Sequence, residues 1–178
     1  LVGTQMIAKG HDFPAVTLVG VLDADLSLYF ADYRSIERTF SLITQVAGRA
    51  GRADKEGEVI IQTHTPGHYV YRLIYDYDYK GFYQREISLR KAAKYPPFAK
   101  ILRVLCMSED EDSVKEVTKN IYNAIKEIKD NNSDKFIYFN VMKAPVAKIK
   151  NKYRYQILAR VTDFDDKITD FIYDIVDV

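Results

Sequence analysis

Val16-Thr17-Leu18-Val19-Gly20-Val21-Leu22 is a continuous run of apolar and β-branched residues. Such a run suits a parallel strand buried on both faces, where a half-exposed strand would alternate apolar with polar positions. From Arg34 onward, Ile36, Phe40, Ile43 and Ala47 recur at helical spacing, and the segment stops at Gly48. Glu58 to Thr63 reads as another strand, and Leu1 to Met6, upstream, as a strand end followed by a polar, Gly-bearing turn. Strand, loop, strand, helix, strand is the rhythm of an α/β layer with its working loops at strand ends.

Toward the C-terminus, His68 to Lys94 is predicted helical with a break near Gly81, and it is dense in tyrosine: Tyr69, Tyr71, Tyr75, Tyr77, Tyr79 and Tyr83. These rings are read as packing groups rather than base-stacking platforms. Tyr95-Pro96-Pro97 stops the helix, because proline lacks an amide donor and biases its predecessor away from helix. Beyond it the predicted elements alternate. Lys100 to Met107 is a strand; Ser108-Glu109-Asp110-Glu111 has capping-box spacing; Val114, Val117, Ile121, Ala124 and Ile128 mark one helix face. Phe136 to Val141 and Tyr153 to Val161 are strands, and Ile168, Phe171, Ile172 and Ile175 mark a second helix. With a last strand cut off after Val176, the order β-α-β-β-α-β is the split βαβ pattern of ferredoxin-like domains. The expected organisation is therefore an α/β lobe over residues 1–67, a helical connector over 68–97 and a small α+β domain over 98–178.

The 178 residues carry a formal net charge of +1, so attraction to a polyanion has to come from the distribution of charge. No apolar run approaches the ~20 residues that span a bilayer, and no signal sequence is visible, which makes a cytoplasmic protein the expectation. Cys106 is the lone cysteine and lies in an apolar run, as a core residue would. His11, His64 and His68 lack the spacing of a metal-binding helix pair, so no metal site is expected. Leu1 opens directly into an apolar segment, and Ile175-Val176-Asp177-Val178 looks like the start of a strand, so a fragment at both ends is expected.

Chemistry is concentrated in Gln45-Val46-Ala47-Gly48-Arg49-Ala50-Gly51-Arg52. Arg49 and Arg52 each follow a glycine, so two planar cations can meet one polyanion while the backbone approaches closely. A triphosphate fits, since guanidinium donors fork over phosphate oxygens and stabilise the charge that develops in phosphoryl transfer. The bland reading is a surface turn with solvated arginines. A second cluster, Lys148, Lys150, Lys152, Arg154 and Arg160 with Tyr153 and Tyr155, spans a turn and the following strand. Alternation along that strand predicts the two tyrosines on one face and Arg154 on the other.

The octapeptide resembles the sixth motif of superfamily 2 helicases, and Gly3-Thr4-Gln5-Met6-Ile7-Ala8-Lys9-Gly10-His11-Asp12-Phe13-Pro14 resembles their fifth, at the right distance and in the right order. That resemblance implies a RecA-like second motor lobe. It assigns Arg49, Arg52 and Gln45 to catalysis, and Gly10, Asp12 and Gly48 to ATP, with Asp12 on the ribose hydroxyls. It places Thr4, Gln5 and Lys9 on the phosphates of DNA. Together with Asp23-Ala24-Asp25, Asp32-Tyr33-Arg34-Ser35-Ile36-Glu37-Arg38, Gln62-Thr63 and Tyr95-Pro96-Pro97-Phe98, these motifs look like the family of primosomal replication-restart (PriA) helicases. One departure is Asn140-Val141-Met142-Lys143, where that family's pattern suggests a Gly-Pro-rich turn.

Family membership would imply a bacterial, nucleoid-associated motor that moves 3′ to 5′ on single-stranded DNA, recognises abandoned forks and helps reload the replicative helicase. Its partners would be single-stranded and forked DNA, primosome proteins and single-strand-binding proteins, with no membrane. It would use ATP and Mg²⁺, held mainly by another lobe, and carry Zn²⁺ in a cysteine-rich insertion that this sequence lacks. In the C-terminal domain Lys148, Lys150, Lys152 and Arg154 would hold DNA. Without a phosphate loop or an acidic Mg²⁺ motif the chain by itself should be inert. Two rivals are a non-catalytic nucleic-acid-binding module and another superfamily 2 translocase. The first leaves the two helicase motifs unexplained; the second is opposed by the Asp23-Ala24-Asp25 and Tyr-Pro-Pro-Phe segments.

Overall fold

A computed structural model of the chain describes residues 3, 16–48, 50, 57–163, 169–170 and 173–174. Its contacts divide the chain into Leu1–Ile87 and Ser88–Val178. In the first unit, β1 (Leu18–Val21) leads through α1 (Asp25–Leu28) and α2 (Ser35–Ala47) to β2 (Glu58–Ile61). The strands pair in parallel, Leu18 opposite Glu58 through Val21 opposite Ile61, as the strand-helix-strand rhythm predicts. Helix α2 buries Thr39, Phe40, Ile43 and Ala47 and closes at Gly48, where the apolar spacing ends. Leu18 and Gly20 are exposed, so the apolar run is not buried on both faces. The described sheet has two strands, which leaves alternate positions uncovered.

Helix α3 (Tyr69–Tyr75) and helix α4 (Tyr79–Ala92) complete this unit's core, in which Phe40 stacks on Phe82 at 4.1 Å beside Val70 and Ile74. The predicted break near Gly81 lies earlier, at Asp76–Asp78. Gly81 sits in the first turn of α4, where its amide donates to Asp78 Oδ1 at 2.8 Å. A Cβ on Gly81 would collide with Asp78 Oδ2, so the glycine makes room for the capping carboxylate. The division between units falls inside α4, ahead of Tyr95-Pro96-Pro97. Phe82 joins the first core and Glu86 accepts from the Tyr69 hydroxyl at 2.5 Å. The Pro96–Pro97 peptide is cis.

The second unit runs β3 (Lys100–Ser108), α5 (Glu111–Asn131), β4 (Phe136–Ile149) and β5 (Lys152–Val161). The sheet order is β3-β5-β4, with both pairings antiparallel to the central β5. Helix α5 thus carries the chain from one edge to the other across β5, which is the split βαβ arrangement. The N-cap of α5 is Asp110, which accepts from the Ser113 amide at 2.9 Å, rather than Ser108. The buried face is Val114, Thr118 and Ile125, with Ile121 and Ala124 half-buried; Val117 is exposed, and Thr118 turns its hydroxyl onto the Val114 carbonyl. Ile125 and Ile157 are fully buried, and Tyr122 stacks on Phe139 at 4.6 Å.

Asn140–Lys143 is neither Gly-Pro-rich nor a turn; β4 runs through it. The extra residues Ala144–Ala147 form a bulge between Lys143, opposite Tyr155, and Lys148, opposite Tyr153. Pro145 fits there because a bulge spares it from donating to the ladder. The second helix expected around Ile168–Ile175 and the strand after it fall largely outside the described residues, of which 169, 170, 173 and 174 are helical.

Candidate nucleic-acid interface

In the first unit Gln45 is exposed near the end of α2, followed by Gly48. Gly48 has φ −65° and ψ 0°, open to any residue, and an added Cβ would meet the Thr44 carbonyl only at 3.5 Å. Neither backbone conformation nor crowding explains a glycine there. Thr4, Gln5, Lys9, Gly10, Asp12, Arg49 and Arg52 lie outside the described residues.

The carboxyl ends of β1 and β2, where open α/β sheets build their sites, meet at a residue to which sequence reasoning gave no role. Asp25 accepts from Thr65 Oγ1 at 2.5 Å, the His64 amide at 2.6 Å, Thr63 Oγ1 at 2.9 Å and the Tyr71 hydroxyl at 3.3 Å. These donors, Thr65 foremost, outweigh desolvation and bring its pKa down to about 2. With its oxygens thus satisfied, Asp25 fastens the loop after β1 to the loop after β2. The Asp23-Ala24-Asp25 triplet carries part of the family resemblance, but that resemblance gives Asp25 no role. His68, read as a non-ligand, caps α3 by accepting from the Val70 amide at 3.3 Å, and burial together with the nearby Arg85 lowers its pKa. Cys106 packs against the second core.

In the second unit β4 and β5 join through Lys150 and Asn151, both left-handed at φ 47° and 66°, the geometry of a two-residue primed hairpin turn. This turn projects Lys150 at the hairpin end, and it divides the predicted basic cluster. Lys148 lies over the Tyr153 ring at 4.1 Å, and Lys143 over Tyr155 at 5.8 Å. The Tyr155 hydroxyl donates to Glu111 of α5 at 2.8 Å, so both tyrosines are on the helix side, as alternation predicts. That hydroxyl, then Lys143 at 3.2 Å, holds the Glu111 carboxyl below its ordinary range. Arg154 faces the other way and donates to the Val146 carbonyl of the bulge at 3.2 Å. Lys148 is therefore separated from Lys152 and Arg154 by the sheet, and the cluster is not one surface. Among the described residues no group of three or more His, Cys, Asp or Glu is placed to hold a metal ion, and no helix is long and apolar enough to cross a membrane.

A parallel strand pair with crossover helices, followed by a split βαβ domain with a basic hairpin, defines a mixed α/β protein of two small sheets. Residues 91–171 match the family described as Primosomal protein N C-terminal domain. The chain is 46% identical over 160 residues to the Replication restart protein PriA of Bacillus subtilis, 90% of this chain and 20% of the relative. The proteins of the same name from Synechocystis (39% over 164 residues, 92% and 19%) and Borreliella burgdorferi (35% over 158 residues, 89% and 24%) are similar too. The chain belongs to the PriA family and spans about a fifth of the length of these relatives.

Proposed function

We propose that the chain is the C-terminal portion of an ATP-dependent DNA helicase acting in replication restart, with a RecA-like second motor lobe followed by a DNA-holding domain. The name shared by the relatives supports the restart role. The motor reading is supported by the octapeptide beginning at Gln45, whose first residues, Gln45 to Gly48, close α2 on the way from β1 to the parallel β2. A glycine at Gly48 without a conformational reason is what close approach of a phosphate would require.

In this reading ATP sits against another lobe; Arg49 and Arg52 reach its terminal phosphates and close the cleft, Gly10 and Asp12 border the nucleotide, and Thr4 with Gln5 and Lys9 shifts its grip on the DNA strand. Magnesium, held by that other lobe, would neutralise phosphate charge. The basic hairpin holds DNA through phosphates, largely without regard to sequence, with Lys150 and Lys152 at its end, Lys148 on the helix side and Arg154 on the opposite face.

The deciding experiment is Arg52→Ala in the full-length protein. DNA-stimulated hydrolysis should fall by about 10³–10⁵ with nucleotide affinity much less affected, because such an arginine acts chiefly on the transition state. Arg49→Ala should behave similarly, with weaker nucleotide binding. Unchanged turnover in both variants returns the octapeptide to a solvated surface turn. The 178-residue chain alone should hydrolyse no ATP.

A further inference from the structure

In the second unit β3 pairs with β5 alone among the described residues, so its other edge is open. On the face that carries α5, this strand and the helix enclose a groove of about 530 Å³, lined by Val104 and Cys106 of β3 and by Val114, Val117 and Ile121 of α5. Val117, at its rim, is 51% exposed, and Ile121 and Cys106 along its walls are half-buried. Apolar side chains left open along one continuous groove mark a place for another element to cover.

Residues 164–178 of the same chain set out from the right place. β5 ends at Val161, opposite Lys100, and Lys100 Nζ meets Asp163 Oδ1 at 2.6 Å, so this segment leaves from the beginning of β3. A right-handed crossover that leaves β5 and passes over β3 to its open edge runs on the face of α5. The handedness rule that puts α5 there applies again, with chain direction and sideways direction both reversed. The distances agree. Residues 164–167 can extend about 14 Å, and the groove begins at Val104, about 13 Å along β3 from Lys100. A helix over 168–175, the span marked by apolar spacing, then adds about 10 Å and stays within the Val104–Ser108 stretch that lines the groove.

Faces and charges match too. Residues 169, 170, 173 and 174 are helical, and Asp170, Tyr173 and Asp174 are exposed, Tyr173 by 64%. Ile168, Phe171, Ile172 and Ile175, spaced i, i+3, i+4 and i+7, fall on the other face of such a helix. Residues 164–178 carry five aspartates and one lysine, whereas β3 (KILRVLCMS), β4 (FIYFNVMKAPVAKI) and β5 (KYRYQILARV) contain no aspartate or glutamate. An acidic segment thus meets a sheet whose own charges are all positive. We propose that the groove between β3 and α5 is the docking site of the chain's own segment 164–178, which fills it with Ile168, Phe171, Ile172 and Ile175. A second copy could offer the same surface, but a segment tethered at Asp163 is present at an effective concentration on the order of millimolar. Docked there, the segment keeps Asp170 and Asp174 turned outward and makes the helix side of the domain acidic, while the hairpin end is basic.

Cys106, the lone cysteine of the 178-residue chain, is a probe already set in the groove wall. Phe171→Ser with Ile172→Ser should speed its reaction with an aromatic disulfide reagent at least about tenfold, because the thiol is opened to solvent, while Tyr173→Ser on the exposed face should leave the rate within about twofold. A second measurement keeps the apolar face largely intact. In a Cys106→Ser background, Val117→Cys paired with Phe171→Cys or with Ile172→Cys should form a disulfide within one chain under mild oxidation, and Val117→Cys paired with Asp170→Cys should not. If neither apolar-face pair closes more readily than the Asp170 pair, the proposal is overturned, even where the double-serine variant loses its fold. Unchanged Cys106 reactivity in a folded double-serine variant overturns it as well. A disulfide that joins two chains, seen as a dimer on a denaturing gel, would assign the groove to a second copy and overturn docking of the chain's own segment.

Discussion

Four donors converge on the carboxylate of Asp25 from two segments, the Thr63–Thr65 loop after β2 and helix α3, so its charge reinforces a junction between the ends of β1 and β2 that Val21, Ala24 and Gln62 also make through backbone hydrogen bonds. Its folded pKa of about 2 lies below the ordinary 3.8. A depressed carboxylate contributes stability that is fully present above the unfolded value and disappears as pH falls through the folded one. Thermal unfolding of the chain followed by circular dichroism should show a step of acid sensitivity between pH about 4 and about 2, and Asp25→Asn should lower the unfolding temperature at neutral pH and flatten that step. A wild-type profile in the variant would mean that the loops are held by other contacts. Gly48 poses the opposite case, a residue whose identity the fold does not demand. Gly48→Ala should leave the unfolding free energy within about 0.5 kcal/mol or raise it, since alanine favours the helix end. DNA-stimulated hydrolysis by the full-length protein should nonetheless drop at least about tenfold, because a methyl group then stands where the phosphate approaches. Equal hydrolysis would detach Gly48 from the nucleotide.

Helix α5 shows how an amphipathic pattern can be right in kind and rotated in detail. Val114, Ile121, Ala124 and Ile128 lie where helical spacing places them, but the stripe passes through Thr118 and Ile125 rather than Val117. Threonine is invisible to an apolar count, yet here its hydroxyl is satisfied by the carbonyl one turn back, so it can be buried. Ile125→Ala should therefore cost about 2–5 kcal/mol in urea unfolding, whereas Val117→Ala should cost under about 1 kcal/mol. Equal costs would restore the face read from the sequence. Asp78→Ala, removing the cap of α4, should cost about 1 kcal/mol. What was legible came from long periodic signals: α2 from Ile36, Phe40, Ile43 and Ala47, the parallel pairing from the strand-helix-strand rhythm, and the order of β3, α5, β4 and β5. What was not legible depended on local competition between polar groups. Ser108 and Asp110 both offered a cap and Asp110 won; Asp78 ended a segment that Gly81 had marked; and β4 absorbed Pro145 in a bulge, so Asn140–Lys143 could continue as strand. The role of Asp25 was hidden for a further reason, since its donors come from the far side of the crossover.

At the scale of the molecule the proposed function divides between the two units, its motor element in Leu1–Ile87 and its DNA-holding hairpin in Ser88–Val178. A net charge of +1 over the chain says nothing of this, because the strands of the second unit are free of acid while its helix is not. Part of this charge lies at the hairpin end. Lys150 lies on the turn itself and Lys152 opens β5, and neither forms an ion pair among the described residues; Lys148 is already engaged with Tyr153. Every phosphate that a removed lysine no longer neutralises should take about 0.9 from the slope of log affinity against log salt. Neutralising Lys150 and Lys152 together should thus flatten the salt dependence of fork binding by about two units, and adding Lys148 should extend this to at most about three, less if its cation stays on the ring. Because phosphates carry no sequence information, the weakening should be the same for forks of unrelated sequence. The turn is exposed and its two left-handed residues would become strained or relieved only by changes at Lys150 and Asn151, so Lys152→Gln serves as the variant least able to disturb the hairpin. If Lys152→Gln and the triple variant both bind forks with unaltered affinity and slope, the hairpin cations are a solvated surface and fork contacts must lie elsewhere in the protein.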